Sequence, residues 1–238
     1  MLRSIIQFIT DPANQFVFET LRTIELAVVP TLLAMVIAIP LGILFAQRPV
    51  PAFVATNTSN LVRAIPTLAF LAAVVPILGI GLRPSIVALT AIGVSPILLN
   101  TIAGLQGIDP AVTDAGRGMG MTSLQVLTRI QIPLVLPVIA AGVRSAAVQI
   151  VATTPLAALI GGGGYGDYII GGIGLLADRT ELLVGAGGVA ALALVTEFGV
   201  AAVQRAVTPV GLRISAEQEF AEVQPETSEA AQDQRAAA

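Results

Sequence analysis

Two charged side chains, Arg144 and Glu197, lie inside stretches that are otherwise apolar. A charge in hydrocarbon is costly, so each must face protein or a water-filled cavity. They could neutralise each other as an in-span ion pair, or relay a proton or ion. The pair is the reading taken, because the chain has no histidine to titrate near neutral pH. With no cysteine either, the usual general base, the commonest metal ligand and the thiolate nucleophile are all missing. No catalytic residue and no metal site is therefore assigned. The run Gly161-Gly162-Gly163-Gly164 invites comparison with a phosphate-binding loop. That reading fails, since no Lys-Ser/Thr follows and the glycines close an apolar run. Any ATP must bind another subunit.

Other residues suggest a passage. Thr153, Thr154 and Pro155 are polar and helix-breaking near the middle of an apolar segment, and they are assigned to a translocation path. Gly161, Gly164 and Tyr165 belong to a stretch that reads equally as a gate or as a plain loop. Irregular backbone is tolerated there where protein or water covers it. The chain has no Trp and only two tyrosines, Tyr165 and Tyr168. That does not favour a tight aromatic cage within the apolar segments.

The segment from Gly107 to Pro133 is the other candidate. Asp109 followed by Pro110 marks a helix start, a capping acceptor and then Pro in the first turn. Val112, Ala115 and Met119 share one side at helical spacing. Gly116, Gly118 and Gly120 are costly in a helix and imply a sharp turn or a close backbone approach. Thr122 or Ser123 can cap a second short helix, with Leu124, Leu127 and Ile130 as its buried side. Such a helix–turn–helix suits docking into a partner's groove. It could equally be an amphipathic linker on the membrane surface.

The elements that position these residues follow from composition. Of 238 residues, 55% are hydrophobic and 11% charged, against about 25% charged in soluble domains. The mean hydropathy is +0.88. A disordered chain, a coiled coil, a nucleic-acid binder and an ordinary soluble enzyme are all disfavoured. An all-α integral membrane protein remains, with lipid around it and no nucleic-acid partner. A span needs about 20 mostly apolar residues. Five are expected, at about 24–47, 63–82, 84–107, 137–161 and 182–205, with the loop 108–133 between the third and fourth. Residues 1–22 lack the pattern of a signal peptide. Ile5, Ile6, Phe8 and Ile9, then Phe16 and Phe18, suggest a segment lying on the surface.

The spans occupy 23–213. Residues 214–238 hold six acidic groups against Arg235 and read as a solvated, disordered tail. Five spans put the termini on opposite sides. Arg48, Arg63, Arg117, Arg129, Arg205 and Arg213 fall on one, and Arg3, Arg22, Arg83 and Arg179 on the other. The bias places the 108–133 loop and the C-terminus in the cytoplasm and the N-terminus outside. A secondary transporter is the rival class, but no clear internal repeat is visible.

The run from Asp114 to Pro133 resembles the EAA loop of bacterial ABC-importer permeases: Glu-Ala-Ala, three residues, Gly, nine residues, then Ile, any residue, Leu, Pro. Asp114 falls on the Glu, Ala115 on the first Ala, Gly120 on the Gly, and Ile130 and Pro133 on the Ile and Pro. Gly116 replaces the second Ala and Ile132 the Leu. Arg63 to Ala69, Met119 to Thr122, Ile130 to Arg144 and Pro155 to Gly166 are similar to the branch that imports glycine betaine, choline, carnitine and related osmoprotectants. Methionine-type permeases share the five-span plan. The resemblance covers roughly residues 20–210.

It implies coupling helices that seat in a partner ATPase, with Asp114, Ala115, Gly116, Arg117, Gly120, Met121, Ile130 and Pro133 at the contact. It also implies a second permease subunit, identical or related, and an extracytoplasmic solute-binding protein. ATP and Mg would lie on the ATPase, none on this chain. The location implied is the bacterial plasma membrane.

Overall fold

The computed structural model describes residues 2–173 and 179–207. The expected acidic tail lies outside the described residues, as does Arg213. Within them the chain is helical, with no strand. A short amphipathic helix, α1 (Leu2–Thr10), is followed by a tight turn capped by Asp11, whose carboxylate accepts from the Ala13 N–H at 2.9 Å. Then come α2 (Phe16–Ala46), α3 (Pro49–Ala64), α4 (Thr67–Leu78) and α5 (Leu82–Gln106). The loop helices are α6 (Pro110–Gly118) and α7 (Ser123–Val126). The chain closes with α8 (Ile132–Ala157), α9 (Tyr165–Ile173) and α10 (Arg179–Val207).

α5 is the centre. About 61% of its most apolar window is buried, against 6% for α10 at the periphery. Its faces meet α2, α3, α4 and α8. Close approach depends on small residues, as is usual between membrane helices. A Cβ added at Gly42 would lie 2.7 Å from Thr101, and one at Gly142 would lie 2.7 Å from Asn100 Cβ. Ala34, Ala38, Ala52, Ala55 and Ala146 pack with Ile97, Leu98 and Ile102 in the largest cluster.

Four helical stretches are long and apolar enough to cross a membrane, and the pair α3–α4 makes a fifth if taken as one broken span. The boundaries depart from the sequence reading in three places. The first span begins at Phe16, so part of the expected surface segment belongs to α2. α1 is not free on a surface either, since Ile5 and Phe8 pack against the cluster of Tyr165, Tyr168 and Val184.

The second departure is larger. In place of one helix over 63–82, α3 and α4 meet at a bend of 97°. Ile65 precedes Pro66, which disfavours helical backbone, and Ile65 is extended at ψ 126°. The polar run Thr56 to Asn60 hides α3 from a hydropathy reading, yet Ser59 is buried and its carbonyl accepts from Ser95 Oγ at 3.1 Å. Arg63, counted above at a cytoplasmic span end, stands instead beside this break.

The third concerns the loop 108–133 and the span expected at 137. Ser123 to Ile160 is one continuous helical stretch. A π-turn over Leu127–Gln131 joins α7 to α8, with the Ile132 N–H donating to the Leu127 carbonyl. Pro133 has no N–H to give and would crowd the carbonyl four residues back. The wider turn relieves this without ending the helix.

Candidate functional site

Asp109 caps α6, its carboxylate accepting from the Ala111 N–H at 2.8 Å. The helix stops at Gly120, which adopts φ +84°. The Gly120 N–H donates to the Arg117 carbonyl at 2.9 Å, and the Met121 N–H reaches the Gly116 carbonyl at 3.2 Å. That pair of bonds around a left-handed residue is a Schellman end. Thr122 then starts α7 with a capping box: its hydroxyl accepts from Gln125 N–H, and Gln125 Oε1 accepts from the Thr122 N–H at 2.8 Å.

The hinge closes on itself at Gly116. It is buried, and a Cβ there would come within 2.6 Å of Ile130 Cδ1 and 3.4 Å of Val126 Cγ2, with Met121 Sδ 3.8 Å away. Gly116, Met121, Val126 and Ile130 thus form a small internal core. The expected buried side of α7 is corrected here: Val126 is 2% exposed and Leu124 is 68% exposed. Val126 takes the covered place because it packs, with Ile130, against Gly116 of α6.

The side of α6 carrying Val112, Ala115 and Met119 faces outward, Met119 being 71% exposed. Asp114 and Arg117 form an exposed ion pair at 3.4 Å on the same helix. Pro133 lies in the first turn of α8. A polar hollow of about 510 Å³ lies between the end of α2 and this loop, lined by Gln47, Arg117, Leu124, Leu127 and Gln131 among others. Chemically the loop offers an exposed apolar side beside a polar hollow.

The residues assigned to a path or gate fall elsewhere. Thr153 and Thr154 are buried within the protomer, and their hydroxyls donate to the Gln149 and Val151 carbonyls of their own helix, at 2.7 and 2.8 Å. Pro155 follows them in α8, and its carbonyl lies 2.6 Å from where a Cβ on Gly166 would be. Both hydroxyls are thus taken up within α8 in this protomer. Side-chain back-bonding explains how two hydroxyls sit at that depth without other partners.

The glycine loop is pinned to the start of α2. Glu19 Oε2 accepts from the Gly164 N–H at 2.6 Å, and Thr23 Oγ1 accepts from the Tyr165 N–H at 2.8 Å. Tyr165 and Thr20 hydroxyls are 2.8 Å apart. Gly164 takes φ +83°, with its Cβ position 2.7 Å from Thr23 Oγ1. Gly161 sits at the other end, against Ile80 and Gly81. Tyr168 donates to the Asn14 carbonyl. Burial above all, then the Glu19 carboxylate, pushes the Tyr168 hydroxyl up to about 12. It therefore stays protonated as a donor. Both tyrosines are 6% exposed, so they anchor structure and form no open cage. Sequence reasoning missed Glu19, Thr20 and Thr23. Their polar character at the head of an apolar run was the available signal.

Arg144 on α8 and Glu197 on α10 pair directly, Nη2 to Oε1. The Gln204 amide donates to the Pro137 carbonyl at 3.3 Å further along the same two helices.

A bundle of apolar spans with a structured helical hairpin between α5 and α8 defines a class of fold, a multi-span membrane domain. The comparisons give the family. The model of the binding-protein-dependent transport system inner membrane component matches residues 38–209, and the chain belongs to that family. It is a multi-pass inner membrane permease. It is 34% identical over 213 residues to the choline transport system permease protein OpuBB of Bacillus subtilis (strain 168), covering 89% of this chain and 97% of that one. The glycine betaine/carnitine/choline transport system permease protein OpuCB of the same organism is also 34% identical over 213 residues, with the same coverage. Among solved structures, the MetNI methionine ABC transporter in an inward facing conformation matches with a TM-score of 0.75. It is 24% identical, and the match covers 84% of this chain and all of that one. That likeness concerns the fold.

Proposed function

We propose that this chain is the membrane-spanning subunit of an ATP-driven importer for quaternary-ammonium osmoprotectants such as glycine betaine, choline and carnitine. The observation that carries the cargo is 34% identity over nearly the full length of permeases whose names state those solutes. The observation that supports the mechanism is the outward apolar side of α6 on a hinge fixed by Gly120 and Gly116. Two ATPase subunits dock there, one per permease, with Asp114, Ala115, Arg117 and Met121 at or next to the contact. ATP and Mg are held by those subunits, and this chain contributes no catalytic group.

A second permease, identical or related, completes the pathway, and a binding protein delivers solute on the far side. The loop and the C-terminus face the cytoplasm, and the N-terminal residues 1–22 lie outside. Closure of the ATPases moves α6, and the continuous helix from Ser123 passes that movement to α8. The Arg144–Glu197 pair then carries α10 along with α8.

The test is co-purification. An ATPase retained by the wild-type permease should be lost from Asp114→Arg and from Met119→Asp, with the spans still assembled. Retention by both variants would refute the docking assignment.

A further inference from the structure

We infer that the break between α3 and α4 walls the aqueous passage, and that Arg63 at this break meets the carboxylate of a zwitterionic solute. Ile92 and Ser95 of α5 face the break together with Gln149 of α8. They are the eleventh and fourteenth residues of a 25-residue helix, so at 1.5 Å per residue they lie about 15–20 Å along an axis of about 37 Å. The break is therefore level with the interior of the bilayer, not with its surface.

Backbone at that depth must be covered by protein or water. Here it is uncovered in the protomer. Arg63, Ala64, Ile65 and Pro66 are all exposed. No side chain caps α4, whose first N–H groups lack partners within the helix. Arg63 is a full charge at this level, and among the described residues no carboxylate pairs with it. Lipid cannot solvate that combination. Water in a passage, shared with the second permease, can.

The local chemistry fits one end of a solute. Arg63, Thr67, Phe70, Ser95 and Gln149 surround a cavity of about 30 Å³, room for roughly one water molecule. Arg63 and the start of α4 present donors to a carboxylate. In this conformation the cavity is too small for a solute, so solute contact occurs on the exposed side of the break. The choice of solute rests on the cargo proposed above; the placement of the break in water does not.

The chain has no cysteine, which gives a clean test in the assembled transporter reconstituted with its ATPase. Arg63→Cys and Thr67→Cys should react with a charged, membrane-impermeant thiol reagent in at least one nucleotide state, while Thr154→Cys should not. Uptake of labelled glycine betaine and of labelled choline, which lacks a carboxylate, is then compared in Arg63→Gln and Arg63→Lys. Loss of one charge-assisted contact should lower betaine uptake about tenfold in Arg63→Gln, leave choline nearly unchanged, and be largely restored by Lys. Unreactive cysteines at both positions would overturn the passage. Reactive cysteines with both solutes reduced alike would overturn the carboxylate role. A wild-type complex that moves neither solute would instead refute the cargo, and labelling at the break would still support the passage.

Discussion

Replacing Gly120 by Ala should uncouple the loop although the added methyl touches nothing. No atom lies within 4 Å of a Cβ at Gly120, so sterics with neighbours are not the issue. The cost is in the backbone, because φ is +84° and an L-residue there pays about 1–2 kcal/mol. The Schellman bonds from Gly120 and Met121 to the end of α6 would loosen by that amount. One to two kcal/mol corresponds to about a 5–30-fold shift between the docking-ready turn and its alternatives.

Gly118 is the control. It too has open space around its Cβ but lies in α6 at ordinary helical φ. Ala there should favour the helix by about 0.8–1 kcal/mol. Two identical chemical changes, two residues apart, should thus move in opposite directions. Affinity of the detergent-solubilised permease for its ATPase, measured by titration, should fall for Gly120→Ala and hold or rise for Gly118→Ala. Gly120→Asn should fall between them, since Asn tolerates the left-handed region. Equal effects of Gly118→Ala and Gly120→Ala would refute the role given to the turn.

Three further outcomes follow from the packing. Gly142→Leu should lower the melting temperature and yield of the purified permease sharply, because even a Cβ would stand 2.7 Å from Asn100 Cβ and 3.1 Å from the Pro96 carbonyl. Unchanged melting would mean that α5 and α8 are not packed as described. Glu197→Ala should reduce stability by leaving Arg144 without its partner. A charge reversal at both positions, Arg144→Glu with Glu197→Arg, should recover part of the loss. If the double variant is no better than Arg144→Glu alone, the two side chains do not act as a pair. Tyr165→Phe should cost about 0.5–1.5 kcal/mol, the net worth of one hydrogen bond, through the lost contact with Thr20; the check is chemical denaturation of the permease in detergent. No loss would mean that this hydroxyl does not help to hold the glycine loop.

The elements most legible in the sequence were those with local causes. Asp109-Pro110 announced the start of α6, and the observed cap confirms the geometry. Of glycines 116, 118 and 120, expected at a close approach or a turn, Gly116 supplies the approach and Gly120 the turn, while Gly118 lies in ordinary helix with open space around it. What escaped depended on tertiary context. α3 was invisible to hydropathy because Thr56 to Asn60 are polar, although Ser59 is buried against Ser95. Val126, not Leu124, is the covered residue of α7, because it packs with Ile130 against Gly116 of the preceding helix. The hydroxyls of Thr153 and Thr154 bond to carbonyls of their own helix, a pairing that polarity alone does not reveal. Glu19 and Thr23 act across more than 140 residues on the glycine loop, a separation that no local pattern encodes.

The central claim is that this permease carries quaternary-ammonium solutes inward at the expense of ATP hydrolysed on its partner. Uptake of labelled glycine betaine at high external salt, in cells with and without the chain, tests it most directly. Uptake should disappear on deletion, return with the wild-type chain, fail to return fully with Gly120→Ala, and be competed by choline and carnitine. Betaine uptake that survives deletion while methionine uptake is lost would contradict it.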